Sequence, residues 1–239
     1  MHRRRNVASQ PPSEATAAKD DGNADKEKTP ILVVSGVGAE GCNLPSPSGI
    51  NTWRKPASQA TIVLVYFALL GAATQGITGV LQHGLGTTSD STALPLVLGA
   101  VYALLGSAHF VAPGEFENVV PLYGTWGIWY VPGSRSFHVV WTGVVETVGG
   151  LGMVLGAVAE ALHHQHNYDY DHNHNYKYYT DCCALVLFVM TVLVTPANVF
   201  MFTHGAKLPK DSDPLPVAIH GVRLLLQALL LALLSRIGS

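Results

Sequence analysis

The sequence predicts an all-α fold, namely a multi-pass transmembrane helical bundle of five spans with a disordered N-terminal tail. Charge is scarce, since Asp, Glu, Lys and Arg make up 13% of the 239 residues, against roughly 25% in typical soluble domains. Fourteen of the 30 charged residues lie in residues 1–58. The remaining residues therefore carry too few charges to cover the surface of a soluble domain.

The balance of charge and cysteine argues against three classes of protein. A water-soluble enzyme is excluded by the charge-poor main part of the chain. Nucleic-acid binding is excluded because the formal net charge is −2 and no basic patch is present. A disulfide framework is excluded because two of the three cysteines are adjacent.

The positions of the five predicted transmembrane spans follow from segments that contain few charged residues. About 20 helical residues cross the ~30 Å hydrocarbon core of a bilayer, and none of the segments has the charged face of an outer helix in a soluble bundle. We predict a transmembrane bundle over residues 59–235, surrounded by the lipid bilayer. Its spans are residues 60–82, 93–112, 137–162, 182–204 and 215–235.

The first 58 residues differ from the rest in composition. They mix charges with Pro, Ser, Gly and Ala, so they cannot bury enough apolar surface to fold, and we predict a disordered tail. Basic residues near the span ends favour an N-terminus on the cytoplasmic, matrix or stromal side. They are Arg54, Lys55, Arg135, Lys207 and Lys210 on that side, against Lys177 and Arg236 on the other.

Two ionisable residues lie deep inside predicted spans. Glu146 lies in the third span and Arg223 in the fifth, where a charge costs roughly 2.5–3.5 kcal/mol even on the lenient insertion scale. At about 1.5 Å per residue, both are ~12–14 Å from the same face of the membrane. Equal depth and opposite charge predict that the two residues form an ion pair.

More polar residues lie in the same half of the predicted bundle. In the fourth span, Pro196 breaks the helical hydrogen bonds and frees a carbonyl near Val192, which hydroxyls or an amide would satisfy. In the fifth, residues at i, i+3 and i+7 share one stripe. The predicted buried polar cluster comprises His109, Glu146, Asn198, His220, Arg223 and Gln227.

The polar cluster has two interpretations. It is either a set of interhelical hydrogen bonds, worth about 0.6 kcal/mol each, or a site for a ligand or a proton. In the second case, Glu146 accepts a proton, Arg223 anchors an anion or a quinone oxygen, and His109 acts as a relay. No nucleophile or defined metal site accompanies Glu146, so no catalytic residue is predicted, and the sequence does not identify a cofactor.

Several of these residues stand in motifs that follow one another in a fixed order. The motifs are SAHFVAP (107–113), VVP (119–121), GVVETVGGL (143–151), TPANV (195–199) and RLLLQ (223–227). Their order and spacing resemble the DoxX-like membrane protein family over residues 93–235. The resemblance implies a compact four-helix unit and a role as an accessory or non-catalytic subunit of a redox or quinone-linked membrane system, with a membrane redox protein as partner. The rival hypothesis is a transporter of small molecules, protons or metal ions.

The predicted loop 163–181 contains five of the eleven histidines. Imidazole is a ligand for zinc, copper or nickel, although a low-complexity insert also produces such a composition. In the preceding loop, Trp126, Trp129 and Tyr130 are interpreted as interfacial aromatic residues. The candidate metal ligands are His163, His166, His172 and His174.

Overall fold

The computed structural model describes the backbone of residues 56–84, 92–165 and 170–238, and the side chains of residues 59–83, 92–163 and 175–238. The predicted disordered tail lies outside these residues, apart from the start of the first helix. Every regular element in the described part is helical. The helices are α1 (Pro56–Gly84), α2 (Ala93–Val111), α3 (Pro113–Glu117), α4 (Arg135–Gln165), α5 (Tyr170–Leu193), α6 (Thr195–His204) and α7 (Val217–Ile237).

Five helical segments in this part of the chain are long and apolar enough to cross a membrane. This confirms the prediction of an all-helical fold with five apolar helices of spanning length. In the fourth segment, α5 ends at Leu193 and α6 begins at Thr195, so the predicted break near Pro196 is also confirmed. The segments are Gln59–His83, Ala93–Val111, Arg135–His163, Asn175–His204 and Val217–Ile237.

Helices α2 and α4 form the most extensive helix contact in the described part of the chain, and glycines allow their close approach. A Cβ on Gly150 of α4 would lie 2.5 Å from the backbone nitrogen of Ala103 and 2.5 Å from the carbonyl oxygen of Gly99. Gly150, four residues after Glu146, therefore allows α2 to pack directly against the backbone of α4. Helix α4 also packs against α5, whereas α7 packs chiefly against α1 and α5.

The predicted loop 163–181 is wrong for most of its length. Helix α4 continues to Gln165 and α5 begins at Tyr170, while residues 166–169 lie outside the described part. The two helices extend as a pair beyond the apolar segments, and the ring centroids of His163 and Tyr176 are 4.8 Å apart. Within α5, Lys177 and Asp181 form an i,i+4 ion pair of 3.8 Å, which supports the helix despite its polar composition.

The segment between α3 and α4 folds back into the bundle. Its 3₁₀ turn, Thr125–Gly127, buries Trp126, which is only 1% exposed and has a left-handed φ of 57°. The indole Nε1 donates a hydrogen bond to Thr203 Oγ1 of α6 at 2.9 Å. The interpretation of Trp126 as an interfacial aromatic residue is therefore wrong, because its polar atom has a partner inside the protein.

Candidate functional site

A cavity of about 620 Å³ lies among α1, α2, α4, α5, α6 and α7. Its volume is within the range of small-molecule sites, and such sites combine apolar walls with a few polar groups. Most of its lining is apolar. Five members of the predicted polar cluster line it: His109, Glu146, Asn198, Arg223 and Gln227.

The Arg223 guanidinium belongs to a chain of hydrogen bonds on one wall of the cavity. Its Nη2 donates to Asn198 Oδ1, and Asn198 Nδ2 donates to Gln227 Oε1 at 2.9 Å. Arg223 and Gln227 lie four residues apart on α7, so both reach the same part of α6. The asparagine amide therefore holds both side chains of α7 in place.

Gln227 connects this chain to the break between α5 and α6. Its Nε2 donates to the Thr191 carbonyl oxygen at 2.9 Å and to Thr195 Oγ1 at 2.8 Å. Pro196 has no N–H, so the helical hydrogen bond to the Val192 carbonyl cannot form. The adjacent carbonyl, that of Thr191, accepts both from Gln227 and from the Thr195 hydroxyl, the latter at 3.3 Å. A hydroxyl and an amide are thus both present at the break, next to the carbonyl that the sequence singles out.

A second helix reaches the same break from the other side. The Tyr102 hydroxyl of α2 is 2.6 Å from Thr191 Oγ1, and the Thr191 hydroxyl also donates to the Leu187 carbonyl oxygen at 2.7 Å. Tyr102 and Gln227 are both buried, at 4% exposure each. Helices α2 and α7 are therefore joined to the broken helix by hydrogen bonds within the apolar bundle.

Glu146 occupies another part of the cavity wall. Its Oε2 is buried and accepts no hydrogen bond, and the nearest basic atom is His109 Nδ1 at 3.6 Å. The same histidine nitrogen lies 3.0 Å from the Leu105 carbonyl oxygen, so we assign the proton to Nδ1, because a carbonyl can only accept. The imidazole also stacks on Phe116, with ring centroids 3.9 Å apart.

The predicted ion pair between Glu146 and Arg223 is wrong. Both side chains line the cavity, but the ion pairs found in the described part of the chain join other residues. Equal depth was the basis of the prediction, and depth alone does not make two helices neighbours. Helix α4 packs against α2 and α5, and α7 packs against α1 and α5, so the cavity separates the two charges.

His220 does not belong to the cavity lining. It is buried, at 4% exposure, and its ring meets Phe202 with centroids 5.4 Å apart. A step of three residues along a helix turns the side chain by about 60° from exact alignment, so His220 does not share the direction of Arg223. His220 is therefore buried, as predicted, but lies beside the cavity and not in its wall.

The predicted metal ligands remain untested by the structure. His166 lies outside the described residues, as do the side chains of His172 and His174. Among the described side chains, no three His, Cys, Asp or Glu residues are grouped as metal ligands. The histidine site thus stays a prediction.

No protein-family model, curated protein or solved structure gives a significant match to this chain. The DoxX-like resemblance therefore stays a prediction.

The aromatic wall of the cavity was missed by the sequence interpretation. Trp129, taken there for an interfacial residue, lines the cavity together with Trp141 and Phe116. On α4, a signal was present in the periodicity, because residues 138, 142 and 146 follow one another at i, i+4 and i+8 and all line the cavity. This stripe of polar side chains marks the face of α4 that borders the open space.

Proposed function

We propose that this chain is an integral membrane protein that binds a small, ring-bearing amphipathic ligand of the quinone class, as an accessory or non-catalytic subunit of a redox or quinone-linked membrane system. The observation that carries the proposal is the cavity of about 620 Å³ with Glu146 and Arg223 in its wall. The DoxX-like resemblance supports the accessory role.

The apolar and aromatic lining supports a ring-bearing ligand. Indole and phenyl side chains from three parts of the chain, Phe67, Phe116 and Trp141, border the same space. Aromatic rings attract one another in stacked or edge-to-face arrangements beyond the gain from area burial. A planar, weakly hydrated molecule fits these walls better than a strongly hydrated ion, because the apolar walls would not compensate the free energy that the ion loses on desolvation.

The two ionisable groups support a ligand without net charge. One carboxyl group and one guanidinium face the cavity, so their charges balance. A ligand bearing only a negative or only a positive charge would meet repulsion from one of them in a low-dielectric environment. A neutral molecule with polar atoms at two points of a ring avoids this penalty.

Fluorescence quenching tests the proposal directly. The full chain is reconstituted in lipid nanodiscs and titrated with a decyl-substituted benzoquinone, which quenches indole fluorescence on contact with Trp129 or Trp141. We expect saturable quenching of the wild type. Ala197→Phe and Val192→Phe, which place a ring at two cavity-lining positions, should abolish the saturable part.

Ala72→Phe is the matched control, because Ala72 is exposed on the outer surface of α1. It should quench as the wild type does, while gel filtration and helical circular dichroism show that all variants are folded. Identical quenching curves for the wild type, the cavity-filling variants Ala197→Phe and Val192→Phe, and the control would contradict the proposal. Quenching would then report only the partition of the benzoquinone into lipid.

The rival transporter hypothesis is favoured by one observation, the break between α5 and α6 at the cavity. Discontinuous helices recur at the substrate sites of secondary transporters. Proteoliposomes containing the chain distinguish the two proposals: a flux of protons or metal ions that the filling variants block would favour transport, and liposomes as tight as protein-free ones would reject it.

A further inference from the structure

We propose that the cavity selects the reduced form of its ligand, a hydroquinone. The cavity has an accepting pole at Glu146, which requires a hydroxyl that donates a hydrogen bond, and a donating pole at Arg223, which requires an oxygen that accepts one. This inference rests on the proposed function and adds to it the redox state of the bound molecule. It is carried by the hydrogen-bonding roles left open at Glu146 and Arg223.

Glu146 provides the accepting pole. Its Oε2 is buried in the wall without a hydrogen-bond donor, and such an atom costs free energy until a donor reaches it. The nearby His109 Nδ1 directs its proton to the Leu105 carbonyl oxygen. It lies 3.6 Å from Oε2, too far for a hydrogen bond to this atom, so Oε2 remains available to a hydroxyl of the ligand.

Arg223 provides the donating pole. A guanidinium carries five N–H donors and no acceptor, and in the described hydrogen bonds Arg223 uses only Nη2, toward Asn198. Asn198 is in turn held by Gln227, so the guanidinium is positioned before any ligand arrives. The remaining donors can bind an oxygen of the ligand without rearrangement of the wall.

A hydroquinone satisfies both poles, and a quinone satisfies one. Each hydroxyl of a hydroquinone can donate to the Glu146 carboxylate or accept from Arg223, whereas the carbonyl oxygens of a quinone only accept. Bound quinone would leave Glu146 without a donor and would place two acceptors together. A site built to bond a hydroxyl rejects the analogue that lacks it more strongly than an apolar pocket rejects a missing methylene.

Calorimetric titration of the nanodisc-embedded full chain tests the selection, with empty nanodiscs as the blank. The probes are a decyl-substituted hydroquinone, kept reduced under argon, and the benzoquinone made from it. We expect the hydroquinone to bind at least about tenfold more tightly, as one hydrogen bond to a charged group predicts. A decyl-substituted phenol lacks the second oxygen and should bind about tenfold more weakly than the hydroquinone.

Glu146→Gln separates selection from binding. The amide both donates and accepts, so this variant should bind the two redox forms within about threefold of each other. Glu160→Gln is the matched control, since Glu160 lies on the same helix and does not line the cavity; it should keep the full preference. Thermal unfolding shows whether each variant is folded.

The outcomes distinguish the two proposals. If both redox forms bind the wild type equally, or if Glu146→Gln keeps the preference, the selection is wrong while the quinone-class site stands. If the phenol binds as tightly as the hydroquinone, Arg223 does not bind the second oxygen of the ligand. If no probe binds above the empty-nanodisc blank, the proposed function itself fails.

Discussion

Arg223 donates its hydrogen bond to Asn198 of α6 and forms no ion pair with Glu146 of α4. The two charges nevertheless face one cavity. Because Glu146 and Arg223 do not pair with each other, the cavity wall presents a separate hydrogen-bond acceptor and a separate donor to the cavity. This separation is what makes the cavity suitable for a polar ring.

Double-mutant cycles should reproduce this arrangement. For Arg223→Gln with Asn198→Ala we expect a coupling in the free energy of unfolding of about 0.5–3 kcal/mol, the range for residues in contact. For Glu146→Gln with Arg223→Gln we expect additivity within about 0.5 kcal/mol. Unfolding in mixed detergent with increasing SDS measures both, and the reverse order of the two couplings would reject the geometry.

Gln227→Leu should destabilise the bundle by about 1–3 kcal/mol. The change removes the amide donor to the Thr191 carbonyl and to Thr195 Oγ1 and the acceptor of the Asn198 amide, and loss of the partner of a buried polar group costs about that much. Gln75→Leu is the matched control, because Gln75 is exposed on α1, and it should be neutral or stabilising in detergent. Equal losses in the two variants would count against the hydrogen-bond network.

Gly150→Ala should separate α2 from α4. The added Cβ would lie 2.5 Å from backbone atoms of α2, which cannot rotate away, and overpacking typically costs about 1–3 kcal/mol. Gly76→Ala provides the comparison, since nothing lies within 4 Å of a Cβ there; helix propensity favours alanine at that position. The midpoint of thermal unfolding should fall for the first variant only.

Trp126→Phe should lower stability although it keeps an aromatic ring. It removes the donor to Thr203 and shrinks a side chain that is only 1% exposed, for an expected loss of about 1–3 kcal/mol. Tyr130→Phe, at an exposed residue of the same segment, should change the free energy of unfolding by less than about 0.5 kcal/mol. A similar small change in both would show that Trp126 is not anchored in the bundle.

Hydropathy was sufficient to predict the five apolar helices, because about 20 mostly apolar residues with so few charges have few alternatives to a membrane span. It also showed which polar residues lie deep. Pairing could not be predicted in the same way, because span depth gives the height of Glu146 and Arg223 but not the neighbours of α4 and α7. That information depends on how the helices pack.

Two other differences have local causes. Residues 170–181 read as a loop because they are polar, yet Lys177 and Asp181 support a helix that is held against α4. Trp126 and Trp129 read as interfacial because tryptophan is enriched there, whereas the turn after Gly124 directs Trp126 into the bundle. Composition indicates whether a segment lies in a polar or an apolar environment. The direction in which a side chain points depends on the backbone conformation, which composition does not give.

The most direct test of the account is the small-molecule content of the protein itself. The full chain is extracted from its native membranes into lipid nanodiscs, and the organic extract is analysed by mass spectrometry beside that of Ala197→Phe and Ala72→Phe. We predict a hydroquinone or quinone enriched over bulk lipid in the wild type and in Ala72→Phe, and lost from Ala197→Phe. The same extract from all three proteins would contradict a ligand-binding cavity.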